Sequence, residues 1–591
     1  MKQYKEIIQH MSNAEKRLIW GSLFVRTVLV GLDIVGLGLL GISVSLASGS
    51  TFTKGTVTAK VIDLLSFIGG HNFYAIVAGV SVLFFLAKGA ASLLLNFFIA
   101  AKLARFQAQR ASKTLNKIIQ SDLEPIENWS PVEIAHGLGG AMDDAFGRLI
   151  TAVTNAYGEV VLIIGVSTFL IYTSPLLFMF LAIFFALVGA VLFLTTTKNT
   201  RRLSAEISRT TVASSTSVVE TLSNYRQIFT LGVSSSITES FLETRLRMAN
   251  SQEKLTTYSN MPRYIVEMAM MAGVGLLLVE RTTPLSQSIP ASVIAMFIGG
   301  ALRVAASLLP LQGAYAMITH ATSSAKISLE LLKTFKTDKN SPTPASFLTS
   351  EDLSLEFASV SYRYPQSENF AISDVSFTLK NGDFLAVIGP SGAGKSTLAD
   401  LAIGLRCPSA GEVLIGGVGA HDFVLGHPGE VAYVPQRTNL VSGTVAQNVA
   451  LGSPGSKLNR EKIWDALEKV QLKDLVSGLP NGIDTDLGKT GSSLSGGQIQ
   501  RIGLARALYT QPKIMILDEA TSALDDATEQ AVQNAVNDLT GKTILIVIAH
   551  RLSTLKRANK ILSIRNGSPE WLESLDGGVG IANLSEFDVT D

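Results

Sequence analysis

Between Gly389 and Ser396 the chain reads Gly-Pro-Ser-Gly-Ala-Gly-Lys-Ser. That spacing, G-x-x-x-x-G-K-S, belongs to a phosphate-binding loop, where glycines let backbone N–H groups converge on phosphate oxygens. Gly389, Pro390, Ser391, Gly392, Ala393, Gly394, Lys395, Ser396 and Thr397 are therefore the candidates for holding a nucleotide's phosphates. Lys395 carries the charge that neutralises β- and γ-phosphate oxygens, and the Ser396 hydroxyl is a ligand for Mg²⁺. A second run, Ile514-Met-Ile-Leu-Asp-Glu519, is apolar and ends in two carboxylates. A buried strand ending this way asks for a cation, which nominates Asp518 and Glu519.

The elements that must position these groups are legible around them. Phe384–Ile388 is an apolar strand leading into the loop, and a helix is expected from Thr397. Strand, loop and helix in that order are the context a phosphate-binding loop requires, and the helix N-terminus adds its positive end. About a hundred residues on, Leu494-Ser-Gly-Gly-Gln498 leads into a helix-forming run, Ile499–Ala507. Its N-terminus would present Ser495, Gly496, Gly497 and Gln498 to an anion. The apolar strand Thr543–Ile548 ends at His550. These motifs predict an α/β P-loop nucleotide-binding domain over 353–575, after a Lys/Asp/Ser/Pro-rich linker at 336–352 and before a tail at 576–591. The stretch after Gly567 is Gly- and acid-rich and reads as a poorly ordered terminus.

The front of the chain has another character. Of 591 residues, 47% are hydrophobic and only 16% charged, and mean hydropathy is +0.32. Soluble proteins carry roughly 25% charged residues, so this balance points to a membrane protein. A net charge of +1 gives no sign of a nucleic-acid partner. The single cysteine, Cys407, excludes an intrachain disulfide and is expected to be buried. Six apolar stretches fill residues 1–335: Leu18–Ala47, Phe73–Ala101, Leu149–Tyr172, Leu176–Leu194, Tyr264–Val279 and Ser292–Ile318. The predicted fold is an α-helical membrane domain of six transmembrane helices followed by the nucleotide-binding domain. The first apolar run is too long for a cleavable signal. Lysines and arginines crowd the segments after the second and fourth spans, among them Arg105, Arg110, Arg202 and Arg209. The positive-inside rule turns those segments and the nucleotide domain to the cytoplasm, and the protein to the cytoplasmic membrane. Short transverse helices are expected near Ser130–His136 and Ser215–Leu222.

The pairing of the phosphate-binding loop with Leu494–Gln498 resembles the ATP-binding cassette (ABC) family, and the front half resembles the membrane part of its six-span exporters. The resemblance implies a half-size exporter that hydrolyses ATP with Mg²⁺. Tyr364, in Val360-Ser-Tyr-Arg-Tyr-Pro365, takes the position of the ring that stacks on adenine. Gln436, in Val434-Pro-Gln436, would sense Mg²⁺ and the attacking water. Asp518 would support Mg²⁺, Glu519 would act as general base, Asp525 would lie in the D-loop, and His550 would contact the γ-phosphate. Family members bring Ser495 and Gly497 to the phosphate held by another subunit, so a second copy of this chain is the implied partner. The transverse helices would dock on the nucleotide domains. Where that family carries an acidic residue before the signature, Lys489 stands here.

Substrate is less sharply marked. Ile34–Gly41, Val61–Gly69 and Gly443–Asn448 resemble bacterial flippases of lipid-linked oligosaccharides. Arg26, Lys88 and Arg303 lie inside three spans and would line a cationic path for a pyrophosphate-linked, amphipathic substrate among membrane lipids, unless Asp33, Glu159 and Glu267 neutralise them. Multidrug, lipid and peptide exporters share this architecture. An ATP-gated channel or a regulatory subunit is the alternative of another class.

Overall fold

Long helices and short strands segregate along the chain. The computed structural model describes residues 2–47, 73–173, 175–280, 291–335, 353–365, 367–453, 458–488, 494–518, 542–549, 555 and 557–572. It divides into two compact units, one of Met1–Ile119 and Glu127–Lys336, the other of Gln120–Ile126 and Thr337–Asp591.

Up to Thr334 the described elements are helices: α1 (Lys2–Gln9), α2 (Asn13–Ala47), α3 (Phe73–Ile119), α4 (Leu123–Glu127), α5 (Pro131–Leu138), α6 (Gly140–Asp143), a π-helical turn at Asp144–Arg148, α7 (Leu149–Thr173), α8 (Pro175–Ser223), α9 (Tyr225–Leu231), α10 (Ser234–Glu280) and α11 (Ala291–Thr334). Each of the six apolar stretches lies inside a long helix: α2, α3, α7, α8, α10 or α11. Among the described residues, Asn13–Gly36, Gly79–Ile119 and Pro131–Tyr172 are long and apolar enough to cross a membrane. The 47 residues of α3 make a rod of about 70 Å. A bilayer core takes up roughly 30 Å of such a rod, so the polar end of α3 continues past it. Trp20, Phe24, Leu86, Leu93 and Phe97 are exposed along α2 and α3, the apolar outer surface that lipid would cover.

At the other end of these helices the packing is that of a soluble protein. Ile7, Met11, Leu103, Met142, Phe146, Leu149 and Leu329 form one buried cluster. Buried Glu15 binds Arg110 at 2.6 Å, and the Arg110 guanidinium lies 3.8 Å from the Phe146 ring centroid. This ties α2 and α3 to the π-helical turn.

Of the two short helices expected near Ser130–His136 and Ser215–Leu222, the first forms and the second does not. Ser130–His136 does form a helix, α5, with a capping box in which the Ser130 hydroxyl accepts from Glu133 N–H. However, α5 packs in the helical unit, where Ser328 Oγ donates to the Gly137 carbonyl. The stretch that joins the nucleotide unit lies earlier, at Gln120–Ile126. Ser215–Leu222 simply continues α8, since nothing there breaks a helix and Thr221 Oγ1 bonds back to Ser217 O. The break comes at Asn224, and α9 ends at Gly232 with φ +67°, a left-handed C-cap.

The second unit holds two sheets. β1 (Ser354–Tyr362), β2 (Ile372–Lys380), β4 (Ala410–Ile415) and β5 (Val418–Gly419) form an antiparallel sheet of order β2-β1-β4-β5. The other sheet has the order β10-β9-β3-β8-β7-β6, from β3 (Phe384–Ile388), β6 (Val431–Val434), β7 (Ile514–Asp518), β8 (Ile544–Ile548), β9 (Lys560–Arg565) and β10 (Ser568–Leu572). Its strands are parallel except β10, which pairs antiparallel with β9. β3 and β7 are buried along their whole length, as strands covered on both faces must be, and both read as apolar runs. The helices are α12 (Lys395–Ala402), α13 (Ala420–Gly426), α14 (Val445–Val449), α15 (Arg460–Lys469), α16 (Lys473–Ser477) and α17 (Gly496–Tyr509).

Two further corrections fall here. Ser568–Leu572 is not loose: it is the strand β10, and Trp571 packs edge-on against Phe377 with centroids 5.9 Å apart. Cys407 is exposed rather than buried, with Sγ 3.5 Å from Asp122 Oδ1.

Candidate nucleotide site

Parallel strands end on the same side of a sheet, and ligands of such sheets bind off that edge. Here β3 ends at the phosphate-binding loop, β7 at Asp518, β8 two residues before position 550, and β6 two residues before Gln436. The order β3-β8-β7-β6 therefore sets the ends of these four strands in a row along one edge. Glu519, Asp525 and His550 themselves lie outside the described residues, as do Lys489 and Val61–Gly69.

The loop has the shape its glycines predict. Gly389 and Gly394 have φ of +150° and +108°. A Cβ at Gly389 would run into the Ile564 carbonyl oxygen, and one at Gly394 into that of Ala371. Only glycine fits at either place. α12 starts at Lys395, two residues before the expected Thr397, so the lysine begins the helix. Its buried Nζ donates to the carbonyl oxygens of Gly389 at 2.6 Å and Pro390 at 3.1 Å. The ammonium is thus folded over the loop that is to receive phosphate.

Across from it, Ser396 Oγ donates to Asp518 Oδ2 at 3.4 Å. A hydroxyl and a carboxylate this close make an all-oxygen pair of the kind Mg²⁺ takes, with room for phosphate and water oxygens. That pair fits the ion; Gln436, expected to join it, has an exposed side chain. The sequence reading missed Tyr433, whose hydroxyl donates to Asp518 Oδ2 at 3.2 Å. Burial, reinforced by the negative charge of Asp518, pushes the Tyr433 phenol far up, which keeps it a proton donor to the carboxylate. The signal was there: Tyr433 pairs with Ile516 in register, the one hydroxyl-bearing residue of Val431–Val434.

The surroundings of Tyr364, the ring expected to stack on adenine, are also built. The Tyr364 hydroxyl shares a 3.0 Å hydrogen bond with Thr397 Oγ1, which fixes the ring against α12. Tyr362 meets it edge-on at 5.1 Å. Buried Arg406, unforeseen from sequence, lies 4.9 Å from the Tyr364 centroid and 5.6 Å from that of Tyr362. It donates to Tyr362 OH at 3.1 Å and pairs with Asp400 at 2.9 Å. A flat guanidinium can lie on rings as an ammonium cannot. Arg406→Lys keeps the charge beside Asp400 but loses the stacked plane. It is expected to raise the KM for ATP about three- to tenfold with kcat little changed. A fall in kcat at unchanged KM would remove Arg406 as a positioning residue.

Arg406 also sits beside the joint with the transverse stretch. Leu123 N–H donates to Leu405 O at 3.0 Å, and Asp122 Oδ1 lies 3.4 Å from His421 Nδ1. His421 Nδ1–H donates to Gly404 O at 2.9 Å.

The signature run caps its own helix. Ser495 is the N-cap of α17, with its hydroxyl accepting from Gln498 N–H at 3.3 Å and Gln498 Oε1 accepting from Ser495 N–H at 2.8 Å. The N–H groups of Gly496 and Gly497 remain at a positive helix end, available to an anion. Arg506, on the same helix, donates to Asn448 O at 2.9 Å and to Asn439 O, three residues past Gln436.

Residues 372–522 match the ABC transporter family. They form an ABC transporter domain. An ABC transporter ATP-binding protein of Bacillus subtilis, YwjA, is 38% identical over 251 residues, 42% of either chain. The ATP-dependent lipid A-core flippase of Haemophilus influenzae is 42% identical over 214 residues, 36% of either chain. The chain thus spans less than half the length of these curated relatives. A bacterial Atm1-family ABC exporter solved with ATP bound matches 96% of both chains, with a TM-score of 0.75 at 22% identity. The whole chain has the fold of an ABC exporter half-transporter: helical membrane part first, ABC domain second. It is a membrane protein.

Within the helical unit of this half-transporter fold, Lys88 and Arg303 both bind Asp33, at 2.8 and 2.9 Å, and the Asp33 side chain is 0% exposed. Arg26 is held apart, by Asn96 at 2.7 Å and Asn155 at 2.6 Å. Two of the three cations expected to line a path therefore meet, on a carboxylate that cancels one of their charges. Burying that carboxylate unpaired would be costly, so the pairing gives Lys88 and Arg303 a structural task as well.

Proposed function

We propose that this chain is one half of a homodimeric, ATP-driven exporter or flippase that moves an amphipathic substrate across the cytoplasmic membrane. The observation that carries the reading is Gln120–Ile126, which belongs to the nucleotide unit although it follows the apolar helix α3 directly. Leu123 is hydrogen-bonded to Leu405, next to the residue that touches the Tyr364 ring. A rearrangement around nucleotide is thereby tied to a membrane helix. ATP lies with its adenine on Tyr364 and its phosphates in the loop 389–397. Ser396, Asp518 and Gln436 would hold Mg²⁺, Glu519 would take the proton of the attacking water, and His550 would contact the γ-phosphate. Ser495, Gly496, Gly497, Gln498 and Asp525 come to that phosphate from the partner copy.

The substrate class best supported is a lipid-linked oligosaccharide carried on pyrophosphate. Two relatives named ATP-dependent lipid A-core flippases favour a lipid-borne cargo. Arg26, Lys88 and Arg303 give its pyrophosphate cationic contacts within the membrane, where attraction is strong. The test is ATPase activity and flipping in vesicles against polyprenyl-pyrophosphate glycans, other lipids, drugs and peptides. Stimulation by the glycans supports the reading. Stimulation only by cationic drugs or peptides contradicts the substrate, and ATP-independent ion flow contradicts the transporter.

A further inference from the structure

A cavity of about 480 Å³ opens between α8 and α10 in the helical unit. Its polar lining includes Asn199, Arg202, Glu206, Arg247, Lys254 and Tyr258. Three cations thus face one carboxylate. Among the described residues, Arg202 and Lys254 have no ion-pair partner, and Arg247 has only Glu243, 3.9 Å away and exposed. Nothing assigned to the ATP site or to the path at Asp33 uses these groups.

The depth of the cavity is fixed by the helices. The apolar stretch of α8 ends at Leu194, and Asn199 follows five residues later, about 8 Å along the helix. On α10, Tyr258 precedes the apolar stretch from Tyr264 by a similar length, about 9 Å. Asn199 Nδ2 donates to Tyr258 OH at 3.2 Å and joins the two helices at this level. The cavity therefore begins where lipid headgroups lie and extends about 10 Å further along α8, to Glu206, and about 16 Å along α10, to Arg247. A chain in the bilayer can keep its tail beside the apolar stretches while its headgroup enters.

We infer that this cavity is a binding site for the diphosphate headgroup of an apolar-tailed molecule, met on the cytoplasmic side. Arginine forks suit phosphate oxygens bidentately, lysine adds a point charge, and the volume is that of a small-ligand site. The inference draws its choice of ligand from the flippase reading, but its test does not depend on transport.

The test is equilibrium binding of radiolabelled farnesyl diphosphate to the full-length protein in neutral lipid nanodiscs, without nucleotide. Farnesol and inorganic pyrophosphate are the comparison probes. Farnesyl diphosphate is expected to bind at least about tenfold more tightly than farnesol, and less tightly at high salt. The double variant Arg202→Gln/Lys254→Gln is expected to lose about tenfold or more, while Arg245→Gln, outside the cavity on α10, keeps wild-type affinity. Weaker competition by inorganic pyrophosphate assigns the site to a lipid headgroup; equal competition assigns it to a soluble diphosphate, and both uphold the anion site. Equal binding of farnesol, or an unchanged double variant, overturns it. Because no ATP is present, failure here leaves ATP-driven transport standing, and failure of transport leaves this result standing.

Discussion

Lys395→Ala is expected to lower ATP turnover by about a hundredfold or more, mainly through weakened nucleotide binding. The ammonium is folded over the loop by the carbonyls of Gly389 and Pro390, and no other described side chain of that loop carries positive charge. A phosphate arriving there meets a preplaced cation, and a hydrogen bond to a charged group is worth about 1.5–3 kcal/mol. Alanine leaves the glycine geometry intact, so α12 should still form. Nucleotide binding by the purified variant and its thermal unfolding separate a lost contact from a lost fold. Wild-type turnover in a folded Lys395→Ala protein would remove the lysine from the phosphate site.

Glu519→Gln is expected to behave differently. An amide cannot accept the proton of the attacking water, and loss of a general base costs about 10²–10⁴ in rate. Binding should survive, because Lys395, Ser396 and Asp518 are untouched. Nucleotide should then accumulate unhydrolysed and hold two nucleotide domains together. Turnover within a few-fold of wild type would deny Glu519 its role. The two variants thus divide one site into a binding part and a bond-breaking part.

The ABC domain was legible because its chemistry needs backbone shapes that few residues allow. Gly389 and Gly394 must be glycine for steric reasons, and apolar β3 and β7 must be buried on both faces. The six apolar stretches were legible because a bilayer demands about twenty such residues in a row. What escaped was set by tertiary contact. Nothing local marks Arg406 as a ring partner, since its neighbours Tyr362 and Tyr364 lie over forty positions away. The docking stretch was expected near Ser130–His136 from loop length and the family resemblance, and the helix that forms there packs in the helical unit. Gln120–Ile126 carries the same local pattern as Ser130–Glu133, here Ser121-Asp-Leu-Glu124, so only tertiary contacts with the Leu405 carbonyl and His421 set it apart. Cys407 was expected inside because it follows the helix of the phosphate-binding loop; it is exposed, beside Asp122, instead. The three intramembrane cations could be found in the sequence, but not that Asp33 binds two of them.

The central claim is that ATP is hydrolysed at sites shared between two copies. It is tested most directly by a dimer purified through two different tags, one chain carrying Lys395→Ala and the other Ser495→Arg. If each site joins one chain's phosphate-binding loop to the other's signature, the mixed dimer keeps one site free of both changes. It should then hydrolyse ATP well above the dimer of either variant alone. If each chain hydrolyses ATP by itself, every chain in the mixture is damaged, and turnover as low as in the two single-variant dimers would contradict the account.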